Sequence, residues 1–189
     1  MVYATVFGTY NILLDSEKGE PMKLTICILL FILFPIIVLA AETITDANWS
    51  SHPEVKKIRG LYNEINSSEK ANKLKKETKK CVLNDGNVEI DGTLFEDQNG
   101  IIRKYVVDGG TGDSRERAEY YYDEKGSSRF TYRFHGAYNG TEIEDRIYFD
   151  VKGQHLYTNH KTKGPGYTEG VLADSVPGPR TDYANLCKE

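Results

Sequence analysis

Motifs that carry chemistry are what this chain lacks. It contains no Gly-x-Ser-x-Gly nucleophile elbow and no glycine-rich phosphate loop. Its histidines, His52, His135, His155 and His160, include no pair at the close spacing that metal ligands on one strand or helix show. Cysteine is scarce, three residues in all, and no two form the Cys-x-x-Cys of a redox site. The formal net charge of −4 is too mild to imply a nucleic-acid partner. No cofactor is expected. The one long apolar run, Ile26 to Leu39, is short for a membrane span, which needs ~20 apolar residues, and Pro35 interrupts it.

That run is better read as an export signal. Met22-Lys23-Leu24-Thr25 gives a positive start, and Val38-Leu39-Ala40-Ala41 gives small residues at the exit. Residues 22–41 are therefore expected to be a signal peptide, cleaved after Ala40 or Ala41. Residues 1–21 carry Asp15, Glu17 and Glu20 against Lys18, the wrong charge for a signal start. Gly19-Glu20 can be encoded as GGAGAA, which reads as a bacterial ribosome-binding site just ahead of the Met22 codon. Residues 1–21 are thus expected to be an upstream translation artefact. Cys27 leaves with the signal. Cys81 and Cys187 remain, and in an oxidising compartment an even pair implies a disulfide. If the signal stays uncleaved, residues 24–41 anchor the protein in the inner membrane.

What is abundant is tyrosine, thirteen residues, and tyrosine favours half-buried pleated surfaces. A short pattern also recurs. Asp97-Gln98-Asn99-Gly100, Asp123-Glu124-Lys125-Gly126 and Asp150-Val151-Lys152-Gly153 each place Asp first and Gly fourth, the signature of a type I turn closing a hairpin. Between them lie further turn clusters at Asp108–Asp113, Gly136–Gly140 and Gly164–Gly166. The intervening stretches alternate in polarity, as strands with one wet face do. Phe130, Tyr132 and Phe134 oppose Arg129, Thr131, Arg133 and His135; Ile143, Ile147 and Phe149 oppose Glu144, Arg146 and Tyr148. Strands are expected at 88–96, 101–107, 115–123, 128–135, 142–150 and 154–160.

Residues 95–160 thereby resemble the tyrosine–aspartate (YD, or RHS-type) hairpin repeats of secreted bacterial proteins. Glu119-Tyr120-Tyr121-Tyr122-Asp123-Glu124-Lys125-Gly126 and Ile147-Tyr148-Phe149-Asp150-Val151-Lys152-Gly153 carry the likeness; the first copy departs from it, with Phe95 two places before Asp97. Full-length members of that family build large shells from many copies, so three copies imply a local structure and no activity.

Ahead of the repeats, Ser51-His52-Pro53-Glu54 fits a capping box. Val55, Ile58, Tyr62 and Ile65 follow at helical spacing. A second helical stretch is expected as far as Lys80. From Lys163 onward Gly and Pro dominate, and an irregular tail follows with at most a short strand near Tyr167–Leu172. The expected fold is α+β: 42–80 helical, 81–162 a six-stranded antiparallel β-meander of three hairpin units, 163–189 irregular. Its apolar face is covered by one or two N-terminal helices.

Three further features point to solvent or scaffold. Lys73, Lys75, Lys76, Lys79 and Lys80 read as the solvated face of a helix, without the interleaved aromatics of a lipid-binding segment. Asp108 to Asp113 departs from the calcium-loop pattern. Asn48, Asn66 and Asn139 begin Asn-x-Ser/Thr sequons, which matter only in a eukaryotic secretory pathway.

The remaining candidate is a partner-binding polar sheet face, with Arg103, Tyr105, Arg117, Tyr121, Arg129, Arg133, Arg146 and Tyr148. Arg and Tyr are enriched at recognition surfaces; the competing reading pairs these arginines with Glu119, Glu142 and Glu144 across strands. The sequence thus points to an exported, periplasmic or secreted, non-catalytic binding or envelope-associated module whose partner is a protein or an envelope polymer. A small envelope hydrolase is the alternative, and would need a histidine beside a carboxylate, such as His135 beside Glu142 or Asp145. A signal-anchored protein with an extracytoplasmic β-domain is the third reading.

Overall fold

Helix α1 (Pro53–Lys70) begins where the chain has least to lose. Pro53 stands in the first turn, where a missing N–H costs nothing. His52, rather than the expected Ser51, is the cap: its Nδ1 accepts the Glu54 N–H at 3.3 Å. Ser51 is drawn into the preceding turn and donates to the Asn48 carbonyl at 3.0 Å. The helix runs through Ser67-Ser68 and stops at Ala71. Asn72 follows with φ 54°, a left-handed conformation that Asn tolerates at a helix end. This is a computed structural model that describes residues 43–165 and 178–188. The expected signal peptide, the segment before it and the strand near Tyr167–Leu172 lie outside the described residues.

Among the described residues seven strands follow, not six. β1 (Lys75–Leu83), β2 (Val88–Glu96), β3 (Ile102–Gly110), β4 (Ser114–Tyr122), β5 (Ser128–Ala137), β6 (Glu142–Phe149) and β7 (His155–Lys163) form one antiparallel meander in sequence order. The extra strand is the lysine run expected to be helical. It pairs with β2 from Lys75 opposite Glu96 to Leu83 opposite Val88. An edge strand rich in lysine resists pairing with another chain. Here its side chains also meet cross-strand partners: Thr78 touches Thr93 at 3.1 Å, and Lys80 touches Asp91 at 2.9 Å.

The three Asp-x-x-Gly turns close the β2–β3, β4–β5 and β6–β7 hairpins in one geometry. Each Asp side chain accepts two backbone N–H groups: Asn99 and Ile101 on Asp97, Lys125 and Ser127 on Asp123, Lys152 and Gln154 on Asp150, all between 2.8 and 3.1 Å. Gly100, Gly126 and Gly153 have φ of 80°, 77° and 77°, as such a turn demands.

One face of the sheet takes α1. Val55, Ile58 and Ile65 pack on Tyr121, Phe130 and Tyr148, and all six are buried. Full burial of each such side chain is worth about 2 kcal/mol. The other face, at β2–β4, takes a short second helix, α2 (Pro179–Asn185), where an irregular tail was expected. Tyr183 packs there with Leu94, Ile102, Tyr105 and Tyr122. Gly92 makes the approach possible, since a Cβ at that position would lie 2.6 Å from Leu186 Cδ2. Lys79 caps the end of α2, donating to the carbonyls of Tyr183 at 2.8 Å and Ala184 at 3.2 Å. Cys187 follows and is disulfide-bonded to Cys81 of β1.

Candidate functional site

The register decides which side chains can act together. Phe130 lies opposite Tyr148, and Tyr132 opposite Arg146. Directly paired residues share a face of the sheet. The polar side of β6 is therefore on the same face as the apolar side of β5, beneath α1. Arg133 pairs with Asp145 and points to the other face. Alternation along each strand was legible, but the alignment of one strand's pattern with the next was not.

The eight residues of the expected binding face accordingly do not form one surface. Tyr105 lies in the α2 cluster, and Tyr121 and Tyr148 lie in the α1 core. Arg103 and Arg129 are buried ion-pair partners of α1: Arg103 reaches Glu64 at 3.2 Å, and Arg129 reaches Glu54 at 3.7 Å. Arg117 bonds Asp108 at 2.6 Å and Glu119 at 2.8 Å. Of the eight, only Arg146 and Tyr148 line the cleft beside α1.

That cleft, of about 560 Å³, opens between α1 and strands β4–β6. Its size falls within the range of small-ligand sites. Arg59, Tyr62 and Asn63 of α1 form one wall. Phe130, Tyr132 and Arg146 form the sheet side, with Trp49 and Tyr148 at the end before the helix. The aromatic rings hold one another: Tyr62 lies 4.9 Å from Tyr121 and 5.6 Å from Phe130, and Trp49 stacks on Tyr157 at 5.6 Å. Two guanidinium groups lie against this lining. Arg59 is 4.8 Å from the centre of the Trp49 ring, and Arg146 is 5.9 Å from that of Tyr132. Trp49, Arg59, Tyr62, Asn63 and Tyr132 were not among the expected partner-binding residues. The single tryptophan, placed just before a helix cap, was the one signal available for finding them.

Behind the cleft runs a charged relay beneath the C-terminal half of α1. The buried Lys104 ammonium donates to Glu69 at 2.8 Å and Asn66 at 2.9 Å, and lies 3.2 Å from Glu119. Tyr121 and Arg117 both donate to the Glu119 carboxylate. Burial pushes the Glu119 carboxyl upward. The hydrogen bonds from Tyr121 and Arg117 and the charge of Lys104 outweigh it and hold Glu119 below the usual carboxylate range. Burial and the Glu119 contact push the Tyr121 phenol well above its ordinary value. Asp108, despite partial burial, is held low by Arg115 and Arg117. With both arginines on its carboxylate, Asp108 of β3 is salt-bridged to the neighbouring strand β4.

The histidines do not converge. His135 meets Glu116 at 2.9 Å, not Glu142 or Asp145. Asp145, fully buried, instead takes His160 Nδ1 at 2.7 Å, and His160 Nε2 meets the Thr162 hydroxyl at 2.8 Å. Among the described residues no group of three metal-ligating side chains comes together, and no helix is long and apolar enough to cross a membrane. No protein family, no curated protein and no solved structure matches this chain.

Proposed function

We propose that this is an exported, periplasmic or secreted, non-catalytic binding module that holds its partner in the cleft between α1 and β4–β6. The observation that carries this reading is the cleft's lining, where aromatic rings and two ring-held guanidinium groups surround about 560 Å³. Aromatic and arginine side chains are the ones that anchor recognition, because they offer large rigid contact area and fixed donors at low entropic cost. The Cys81–Cys187 disulfide fits an oxidising compartment, in agreement with the export pattern at 22–41.

The test is capture from envelope extract on immobilised protein. Arg146→Ala with Tyr132→Ala should abolish capture of the specific partner. His135→Ala, on the opposite face, should retain it. The reverse outcome would move binding to the other face of the sheet.

One observation favours the hydrolytic alternative. Asp145, His160 and Thr162 form a hydrogen-bonded carboxylate–imidazole–hydroxyl series. Under this reading the purified protein turns over an activated ester, and Thr162→Ala stops it; the binding-module reading expects no turnover from either protein.

A further inference from the structure

The charges of the cleft do not balance. Arg146 is paired with Glu144 at 2.6 Å. Glu119, at the back, is taken up by Lys104 and Arg117. Arg59 has no carboxylate partner among the described residues; one of its nitrogens donates to the Ser50 carbonyl at 3.2 Å. A guanidinium laid on an aromatic ring is oriented, and its remaining N–H edge is available to an anion. Arg59 and Arg146 belong to opposite sides of the cleft, one on α1 and one on β6.

The walls also favour one shape of occupant. Tyr62 is 37% exposed, so part of its ring is open to a ligand. Asn63 adds an amide beside the rings, and the Tyr132 hydroxyl, which donates to Glu144 at 3.3 Å, keeps its acceptor side. β5 and β6 are interior strands of the sheet, hydrogen-bonded on both sides. The floor therefore has no free strand edge with which to add an extended peptide. Recognition must come from side chains alone, by apolar ring faces and scattered donors and acceptors.

Resting on the cleft as the binding site, we propose that its ligand is an acidic saccharide. Its carboxylate is taken by Arg59, with Arg146 across the cleft, and its ring lies against Tyr62 and Tyr132. A pyranose offers an apolar C–H face to an aromatic ring and hydroxyls to neighbouring amides and phenols, which matches this lining. A uronic acid adds the carboxylate counter-charge that Arg59 lacks among the described residues.

Trp49 is the only tryptophan in the chain and lines the cleft, so its emission reports occupancy directly. The purified protein is titrated with trigalacturonate, maltotriose and triglutamate. Trigalacturonate should give a saturable change in emission and maltotriose none. Arg59→Gln should weaken the response about tenfold or more, the scale of losing a charge-assisted bidentate contact. Arg146→Gln serves as a second variant, and circular dichroism confirms that both are folded. Equal responses to maltotriose and trigalacturonate would overturn the role of the carboxylate. A response to triglutamate without one to trigalacturonate would overturn the sugar. Silence to all three, with Arg146-dependent capture from envelope extract intact, would overturn this inference and leave the binding module standing. Silence together with lost capture dependence would overturn both.

Discussion

Arg103 and Arg129 occupy the same place in successive hairpins. Each lies three residues past its turn glycine. Each donates from Nε to the carbonyl just before the next turn aspartate, Tyr122 at 3.3 Å and Phe149 at 3.2 Å. Each lies 3.7 Å from its own turn aspartate, Asp97 or Asp123, and reaches a glutamate of α1. The sequence repeat therefore ends in a repeated clamp that joins turn, neighbouring strand and helix. The third copy has Leu156 at this position, and no clamp forms.

From this clamp comes the first prediction. Sequence alone placed Arg129 on a polar, partner-binding sheet face. With its side chain buried among two carboxylates and a carbonyl, Arg129→Ala should instead cost about 2 kcal/mol, from orphaned partners and lost packing. Urea unfolding of the variant measures it. A midpoint equal to that of the parent would mean that the clamp contributes nothing.

The second prediction isolates the turn. A Cβ at Gly126 would meet nothing within 4 Å, yet its φ is 77°. Gly126→Val should destabilise by about 1 kcal/mol or more through backbone conformation alone. Gly126→Asn, which tolerates the left-handed region, should lose less. Equal losses would show that space, not φ, sets the cost.

These hairpins were legible because their signals are local. Asp97, Asp123 and Asp150 fold back on N–H groups within four residues, and Gly100, Gly126 and Gly153 supply the one conformation the turn needs. Strand β2 was placed correctly at both ends, and β3 to β7 within a few residues. What failed depends on partners distant in sequence. Lys75 to Lys80 has no local mark of a strand; it becomes one because Glu96 to Asp91 offers an edge to pair with. The seven residues of α2 are too few to be stable alone, and they form where Gly92 leaves room and Lys79 caps the end. The cleft was hidden for the same reason. Arg59, Trp49 and Arg146 meet only when α1 lies across β5 and β6.

A third prediction concerns the staple. Cys81 and Cys187 are separated by 106 residues, and on the chain-entropy model a loop of that size is worth ~4–5 kcal/mol. Cys187→Ser, or reduction of the parent protein, should lower the unfolding midpoint accordingly. It should also release α2, exposing Tyr105 and Tyr122 to faster amide and phenol exchange at β3 and β4. Two reactive thiols in the unreduced protein, or a midpoint indifferent to reductant, would refute the bond.

The fourth prediction is the acid limb of stability. Glu119 is held below the ordinary carboxylate range in the folded protein by Tyr121, Arg117 and Lys104, against the opposing effect of burial. A carboxyl whose folded pKa lies below its unfolded value binds fewer protons folded than unfolded. Its contribution is therefore complete above the unfolded value of about 4.3 and disappears as pH falls through the folded one. Asp108, held low by Arg115 and Arg117, acts in the same direction. Glu119→Gln keeps an acceptor but removes the charge that faces Lys104 and Arg117. At pH 7 the variant should be less stable by about 1–3 kcal/mol. The gap should then close as pH drops below about 4, because the parent protonates what the variant has already lost. Urea midpoints for both proteins from pH 7 to pH 2 test this. A gap that stays constant, or widens in acid, would mean that Glu119 is not held ionised by the relay under α1.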